Sequence, residues 1–272
     1  MGNLNDVQEQ LRADYQKVTG EEPLTASASL VRAAEKIPLS HRSGRPKELL
    51  AEIVAARATL QPEHDAARKE LGTDGCVFLW LGPSRYLAPP LVLFFRDGFD
   101  ERNADACLVA PWDTKGLLRH QALGRRLEPP EARAEVARYS LPPFEARQFL
   151  SDVLACCYSS AGSSAYVAGD RPLSCFPGRN CIPFTSTASY EETPAYTFEA
   201  RIHKPLPFAQ ELDAIVLDPL ALWGATMSKE LLTLRRWCRA NEVALTELDN
   251  QETMQQVVVR KTNELLMSRG GA

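Results

Sequence analysis

The sequence predicts an α+β fold in which a split, mixed β-sheet is flanked by helices and preceded by a helical extension. Short apolar runs bounded by Gly, Pro and Asp indicate buried strands. Stretches with an apolar stripe at i, i+3 and i+4 indicate the helices that pack on them. No repeat and no linker interrupts the chain. We therefore expect an N-terminal helical extension over residues 1–37 and one α+β domain of catalytic type over residues 38–272.

The first part of the chain is predicted to be mainly helical. The polar segment up to Ile37 ends in KIPLSHRSGRP, where two prolines and a glycine favour extended chain and a turn. A helix is expected from Lys47, with Leu60 still on its apolar face. Another is expected from Pro62, at the first helical position, to Gly72.

The middle of the chain is predicted to contain the first strands of the sheet. The apolar runs CVFLWLG (76–82), PLVLFF (90–95) and ACLVA (106–110) indicate three buried strands. From Pro129 to Cys157 an apolar stripe predicts a helix that packs on them. Residues 159–183 are rich in Ser, Gly and Pro, so they are expected to form an active-site or partner-binding loop.

The last third continues the sheet and ends in a helix. TPAYTFEARI (193–202) alternates between apolar and polar residues, as in a half-buried strand, with Glu199 on its polar side. This carboxylate either faces water and pairs with Arg201 or faces a cleft. Two more strands and two helices follow: DAIVLDP (213–219), a helix near 228–240, VALTELD (243–249) and a helix that begins at the capping pair Asp249 and Glu252.

Composition narrows the classes of function. The 272 residues carry a net charge of −4, so no overall basic field favours nucleic acid, although nucleic acid is not excluded as a substrate. No apolar run is long enough for a membrane span and the N-terminal sequence lacks a secretory signal, so we expect a cytoplasmic protein without a membrane partner. Gly-rich dinucleotide and P-loop motifs, a nucleophile elbow and metal-ligand spacings are absent.

Several polar residues lie at the ends or centres of the predicted strands. Together they suggest a cleft formed where a split sheet opens. They are His41, Arg42, Tyr86, Asp113, Thr114 and Glu199.

The order of these segments resembles a bacterial mono-ADP-ribosyltransferase, a fold shared by toxins and phage-defence enzymes that consume NAD. An extended H-R segment, a VFLWLG-x-x-x-Y strand, a helical insertion and a late Y-T-F-E-A-R strand carry the resemblance, over about His41 to Asp249. It implies an ADP-ribosyltransferase-like fold. It also implies an enzyme that cleaves the nicotinamide–ribose bond of NAD and transfers ADP-ribose to an unknown protein or nucleic-acid acceptor.

The resemblance implies a role for each of the matching residues. His41 or Arg42 would hold the ribose or a phosphate of NAD, Tyr86 would stack on nicotinamide, and Glu199 would be catalytic. Loss of nicotinamide builds positive charge on the ribose, which a fixed carboxylate stabilises. An aromatic ring can stack on nicotinamide, and an arginine can bind pyrophosphate through two hydrogen bonds.

Two further positions are expected to contact NAD, and the branch of the family stays open. Asp113 ends the strand-turn ACLVAPWDTKGL, and Thr197 stands where many of these transferases carry a second Glu or Gln. That departure argues against transfer to arginine. FTST (184–187) is similar to the Ser-Thr-Ser strand of the Arg-containing branch, so a His-Tyr-Glu and an Arg-Ser-Glu type both remain possible.

Two other functions compete with this one. A cysteine-dependent hydrolase would use Cys156, Cys175 or Cys181 with His203, although no recognisable nucleophile turn is present. A non-catalytic binding or regulatory protein would hold its partner with the Pro/Gly-rich loop. NAD consumption distinguishes the transferase from both alternatives.

Overall fold

The computed structural model describes residues 2–55, 59–82, 88–112, 114, 128–157, 165–168, 171–174, 198–224, 229–249 and 251–270. Its helices are α1 (Leu4–Thr19), α2 (Ala28–Lys36), α3 (Pro46–Val54), α4 (Ala66–Leu71), α5 (Phe99–Arg102), α6 (Pro129–Tyr139), α7 (Pro143–Cys157), α8 (Phe208–Glu211), α9 (Pro219–Trp223), α10 (Lys229–Ala240) and α11 (Met254–Ser268). Its strands are β1 (Leu39–Arg42), β2 (Thr59–Leu60), β3 (Val77–Leu81), β4 (Leu91–Phe95), β5 (Cys107–Ala110), β6 (Ala165–Ala168), β7 (Arg171–Ser174), β8 (Phe198–Ile202), β9 (Leu206–Pro207), β10 (Leu212–Leu217) and β11 (Ala244–Glu247).

Seven of the described strands form one sheet in the order β11-β10-β4-β1-β3-β8-β5. Neighbouring strands are antiparallel except β10 and β11, which are parallel. Short ladders join β2 to β9 and β6 to β7. The predicted mixed sheet with flanking helices is confirmed.

The sheet opens at one end of the β1–β3 ladder. Leu39 pairs with Leu81 and Ser40 pairs with Trp80, and beyond these two pairs the described part of β1 pairs with β4. The His41 ring takes the place of the next ladder bond, because its Nδ1 donates a hydrogen bond to the Phe78 carbonyl oxygen at 2.9 Å. The seven strands are thus one continuous sheet with a local split, and not two separate halves.

The two faces of the sheet have different cores. The larger hydrophobic cluster contains Leu79 and Phe198 and includes buried residues of α1, α2, α3, α7 and α10. The smaller cluster lies on the other face, where Val92 and Phe94 of β4 pack against Val257 of α11. The central part of this second face, over β1, β3 and β8, carries polar side chains instead. A functional site on the sheet is most readily built there.

The N-terminal helices share the core of the sheet. Val7 and Leu11 of α1, Ala33 of α2 and Ile37 after it are buried members of the larger cluster. Residues up to 37 therefore pack on the same core as the sheet. No helix among the described residues combines the length and apolar character needed to cross a bilayer.

Two helices near the local split begin or end elsewhere than predicted. Helix α3 ends at Val54, and Leu60 lies in β2, where it pairs with Leu206. Helix α4 does not begin at Pro62, because Asp65 is its N-cap and accepts a hydrogen bond from the Arg68 amide at 2.9 Å. Its predicted end at Gly72 is confirmed by the left-handed conformation of that residue, φ 70°.

Two later helices also differ from the prediction. The helix expected from residue 129 to 157 is divided into α6 and α7, because Leu141 exchanges backbone hydrogen bonds with Val109 of β5. The prolines at 142 and 143 that follow have no amide hydrogen with which to continue a helix. The last helix is capped by Thr253 with Gln256, four residues after the predicted Asp249.

Candidate functional site

Polar and aromatic side chains collect on one face of β1, β3 and β8. Ser40 pairs with Trp80 and Trp80 pairs with Glu199, so these three residues form a row across the strands. Arg42 follows Ser40 by two positions, and Arg201 follows Glu199 by two, so both share this face. The face is therefore the place where candidate residues from distant parts of the sequence meet.

The Glu199 carboxylate is fully buried and bonded on this face. Its exposure is 0 %, and Nη1 of Arg68 lies 3.3 Å from each of its oxygens. The Thr114 hydroxyl donates to Oε1 of Glu199 and accepts from Arg68 at 2.9 Å. Arginine stays protonated in proteins, so the three groups form a buried ion pair with a bridging hydroxyl.

Helix α4 positions Arg68 for this contact. Asp65 fixes the start of α4, which places Arg68 in its first turn over the polar face. The guanidinium lies over the Phe78 ring, 3.5 Å from the ring centre, so the ring partly replaces the water that the cation has lost. Arg68 is 6 % exposed, so this contact and the Glu199 pair together compensate its burial.

Arg201 adds a second buried cation beside Glu199. It is 4 % exposed and donates from Nη2 to the Ser140 hydroxyl, which in turn donates to the Val136 carbonyl oxygen. Burial lowers the pKa of Arg201, and the Glu199 charge opposes this effect. The Nε atoms of Arg68 and Arg201 are buried without a hydrogen-bond partner among the described residues. Two guanidiniums thus share one described carboxylate, an excess of positive charge that suits an anionic group.

The structure puts His41 and Arg42 on opposite faces of β1. Arg42 is half-buried and shares the face of Glu199. His41 is 6 % exposed and belongs to the other face, where it lines a cavity next to the local split. Of the two candidates, Arg42 is therefore the one that lies on the face of Glu199.

Glu199 itself is placed differently from both interpretations of the sequence. Its predicted alternation with Phe198 and Ala200 is confirmed, but both faces of β8 are buried. The carboxylate does not face water; it forms an ion pair with Arg68, and its charge also acts on the Arg201 guanidinium. Nor is the carboxylate exposed to a cleft in this structure, because its exposure is 0 %.

The remaining candidates cannot be placed. Tyr86, Asp113 and Thr197 lie outside the described residues, as do FTST (184–187) and most of the loop at 159–183. Thr114, the neighbour of Asp113, is described and contacts Glu199. Arg68 was missed by sequence reasoning, since an arginine in a short helix gives no signal that it pairs with a residue 131 positions away.

The described cysteines Cys76 and Cys156 give no support to a thiol nucleophile. Cys76 lies 3.2 Å from Nδ1 of His203, the histidine assigned to the hydrolase alternative. The Cys76 thiol is 0 % exposed, and burial raises its pKa to about 11, so it is protonated at neutral pH. Burial also raises the pKa of Cys156 to about 11, and Cys175 and Cys181 lie outside the described residues.

Comparisons with known proteins add no family to these observations. No protein-family model matches the chain, and no curated protein matches it.

Proposed function

We propose that the protein is an ADP-ribosyltransferase that cleaves NAD at the polar face formed by β1, β3 and β8. One observation carries the proposal: Arg42 and Glu199 share a face on the two strands that flank β3, the strand that leads to Tyr86. Trp80 lies between them as a half-buried aromatic. An arginine, an aromatic strand and a glutamate in this order are what the resemblance to mono-ADP-ribosyltransferases implies.

In the proposed reaction Glu199 stabilises charge on the ribose of NAD. The C1′–N bond breaks, its electron pair leaves with the nicotinamide nitrogen, and positive charge develops on the ribosyl ring beside the carboxylate. A nucleophile of the acceptor then bonds to C1′ and gives up its proton. Arg42 binds the pyrophosphate through its two parallel N–H groups. This assigns the protein to the Arg-Ser-Glu type, because His41 lies on the opposite face.

The burial of Glu199 adds a requirement to the proposal. Arg68 and Thr114 occupy the carboxylate oxygens, so a ribose hydroxyl reaches Glu199 only after they release it. The pyrophosphate supplies a replacement anion for Arg68 and for Arg201, which favours this exchange. NAD binding must therefore provide the free energy that separates Arg68 from Glu199.

The test is nicotinamide release from NAD by the purified protein, with and without a cell lysate as the acceptor source. Glu199→Gln is expected to reduce release by at least about 100-fold, because it removes a charge that acts in the transition state. Arg42→Lys keeps the charge but loses the planar fork, so it is expected to raise KM for NAD about tenfold. Both variants are assayed at a temperature at which circular dichroism shows them folded.

Asp100→Asn is the matched control for loss of a buried carboxylate. Asp100 pairs with Arg147, with side-chain exposures of 4 % and 12 %, and both lie outside the polar face. Asp100→Asn should therefore destabilise the protein but leave nicotinamide release per folded molecule unchanged. The proposal is abandoned if the wild type releases no nicotinamide under either condition, or if folded Glu199→Gln keeps the wild-type rate.

A further inference from the structure

The local split of the sheet opens into a cavity that the proposed NAD reaction does not use. The cavity has a volume of about 370 Å³ and lies between the end of β1, helix α3, the segment after β2 and the start of β3. His41 forms part of its wall where β1 leaves β3. Its size lies at the lower end of the range for sites that bind small molecules.

The lining of this cavity is strongly acidic. Glu48 and Glu52 lie one turn apart on α3, and Glu63 and Asp65 lie on the segment before α4. Four carboxylates face one guanidinium, that of Arg45, which gives a net formal charge of −3 with the histidines neutral.

Several of these charges have no counter-ion among the residues that the structure describes. Glu48, Glu52 and Glu63 form no ion pair with any described residue, and Arg45 forms none with them. Like charges at i and i+4 destabilise a helix, so the pair on α3 costs free energy that a bound cation would offset.

His41 gives the acidic cavity a buried hydrogen-bond acceptor. It is 6 % exposed, and its Nδ1 is the donor to the Phe78 carbonyl oxygen, which leaves Nε2 as the acceptor nitrogen of the neutral ring. Nε2 has no partner among the described residues. Burial lowers the pKa of His41, which keeps the ring neutral at pH 7. The wall and the rim of the cavity therefore offer hydrogen-bond acceptors to a bound ligand.

The spread of these groups favours an organic cation over a metal ion. Among the described residues, no three His, Cys, Asp or Glu side chains come close enough together to hold a metal. An alkanediammonium ion places its two ammonium groups several Å apart, and its methylene chain suits the apolar wall that Leu49, Leu60 and Val77 contribute.

We propose that this cavity binds a small aliphatic diamine with both of its amino groups protonated. One ammonium donates to Nε2 of His41 at the inner wall, and the carboxylates of Glu48, Glu52 and Glu63 bind the other ammonium nearer the mouth. The proposal does not depend on NAD cleavage, since none of these residues lies on the polar face of Glu199.

The test is isothermal titration of the full chain with 1,4-diaminobutane at low ionic strength. The wild type is expected to bind one molecule saturably. The double variant Glu48→Gln/Glu52→Gln should bind at least tenfold more weakly, a loss of about 1.4 kcal/mol or more. Both positions are exposed, so the variant should fold, which circular dichroism checks.

Glu9→Gln is the matched control, because it removes one exposed carboxylate from α1 and leaves the cavity intact. Its affinity for 1,4-diaminobutane should equal that of the wild type. Butanedioate, an anion of similar length, should give no heat of binding. Absence of saturable binding up to about 10 mM, or an equal loss of affinity in Glu9→Gln and in the double variant, would overturn the proposal.

Discussion

The buried pair of Arg68 and Glu199 makes a quantitative prediction for stability. Glu199→Gln keeps the shape of the side chain but leaves the Arg68 guanidinium, which is 6 % exposed, without its counter-ion. Removing one partner of a buried pair costs about 3–5 kcal/mol. For a chain of this size that corresponds to a fall in Tm of roughly 6–20 °C. Urea unfolding followed by circular dichroism measures the free energy, and a thermal scan measures Tm.

A double variant and a surface pair provide the controls. The double variant Arg68→Met/Glu199→Gln removes both charges of the pair. Its loss of unfolding free energy should be smaller than the sum of the losses in the two single variants by about 1–3 kcal/mol. Glu264→Gln breaks the contact with Arg260 at 3.2 Å, where both side chains are 46 % exposed, and should cost less than about 1 kcal/mol. The prediction for the buried pair would be refuted if Glu199→Gln lost no more unfolding free energy than Glu264→Gln. It would also be refuted if the losses of the two single variants were fully additive in the double variant.

Two further predictions concern pH and thiol reactivity. Burial lowers the pKa of His41 in the folded protein. The contribution of His41 to the unfolding free energy is therefore complete above the unfolded pKa of about 6.5 and is lost as the pH falls through and below that value. His41→Gln should therefore flatten the dependence of the unfolding free energy on pH between about 6.5 and 5, by at most about 1.4 kcal/mol per pH unit, and an unchanged slope would contradict this. Since the pKa of Cys76 is raised to about 11, about one thiol in a thousand is ionised at pH 8, and iodoacetamide should label native Cys76 at least 100-fold more slowly than the unfolded chain. Equal labelling rates, measured by peptide mass mapping, would instead support a reactive thiol beside His203.

The strands could be predicted because a short, continuous apolar run directly indicates a buried strand. CVFLWLG, PLVLFF and DAIVLDP are apolar over most of their length, and the structure buries both faces of β3, β4 and β10 in the main. The alternation predicted for β8 also agrees with its pairing to β3. What the alternation could not show is that its polar side is also buried, because the groups that cover Glu199 come from α4 and from Thr114.

The helix ends that were predicted wrongly have a similar explanation. Pro62 is a good first helical residue, but Asp65 offers a side-chain cap that Pro62 does not, and the helix begins there. The break between α6 and α7 depends on backbone pairing of Leu141 with Val109, a contact between residues far apart in sequence. Local periodicity carries no information about such partners.

The pairing register of the strands decides which residue of β1 lies on the polar face. Neighbouring residues of a strand point to opposite faces, so His41 and Arg42 could never both have faced Glu199. Which of them does so depends on the pairing of Ser40 with Trp80 and of Trp80 with Glu199, and the sequence does not encode that pairing locally. In the structure Arg42 lies on the face of Glu199, and His41 lies in the wall of the acidic cavity.

The most direct test of the proposed function is the rate of nicotinamide release from NAD, compared between the wild type, Glu199→Gln and Asp100→Asn at a temperature where all three are folded. The proposed function predicts release by the wild type and by Asp100→Asn and its loss in Glu199→Gln. Equal rates in all three proteins, or no release by the wild type with a lysate present, would contradict it and leave Glu199 as a structural partner of Arg68.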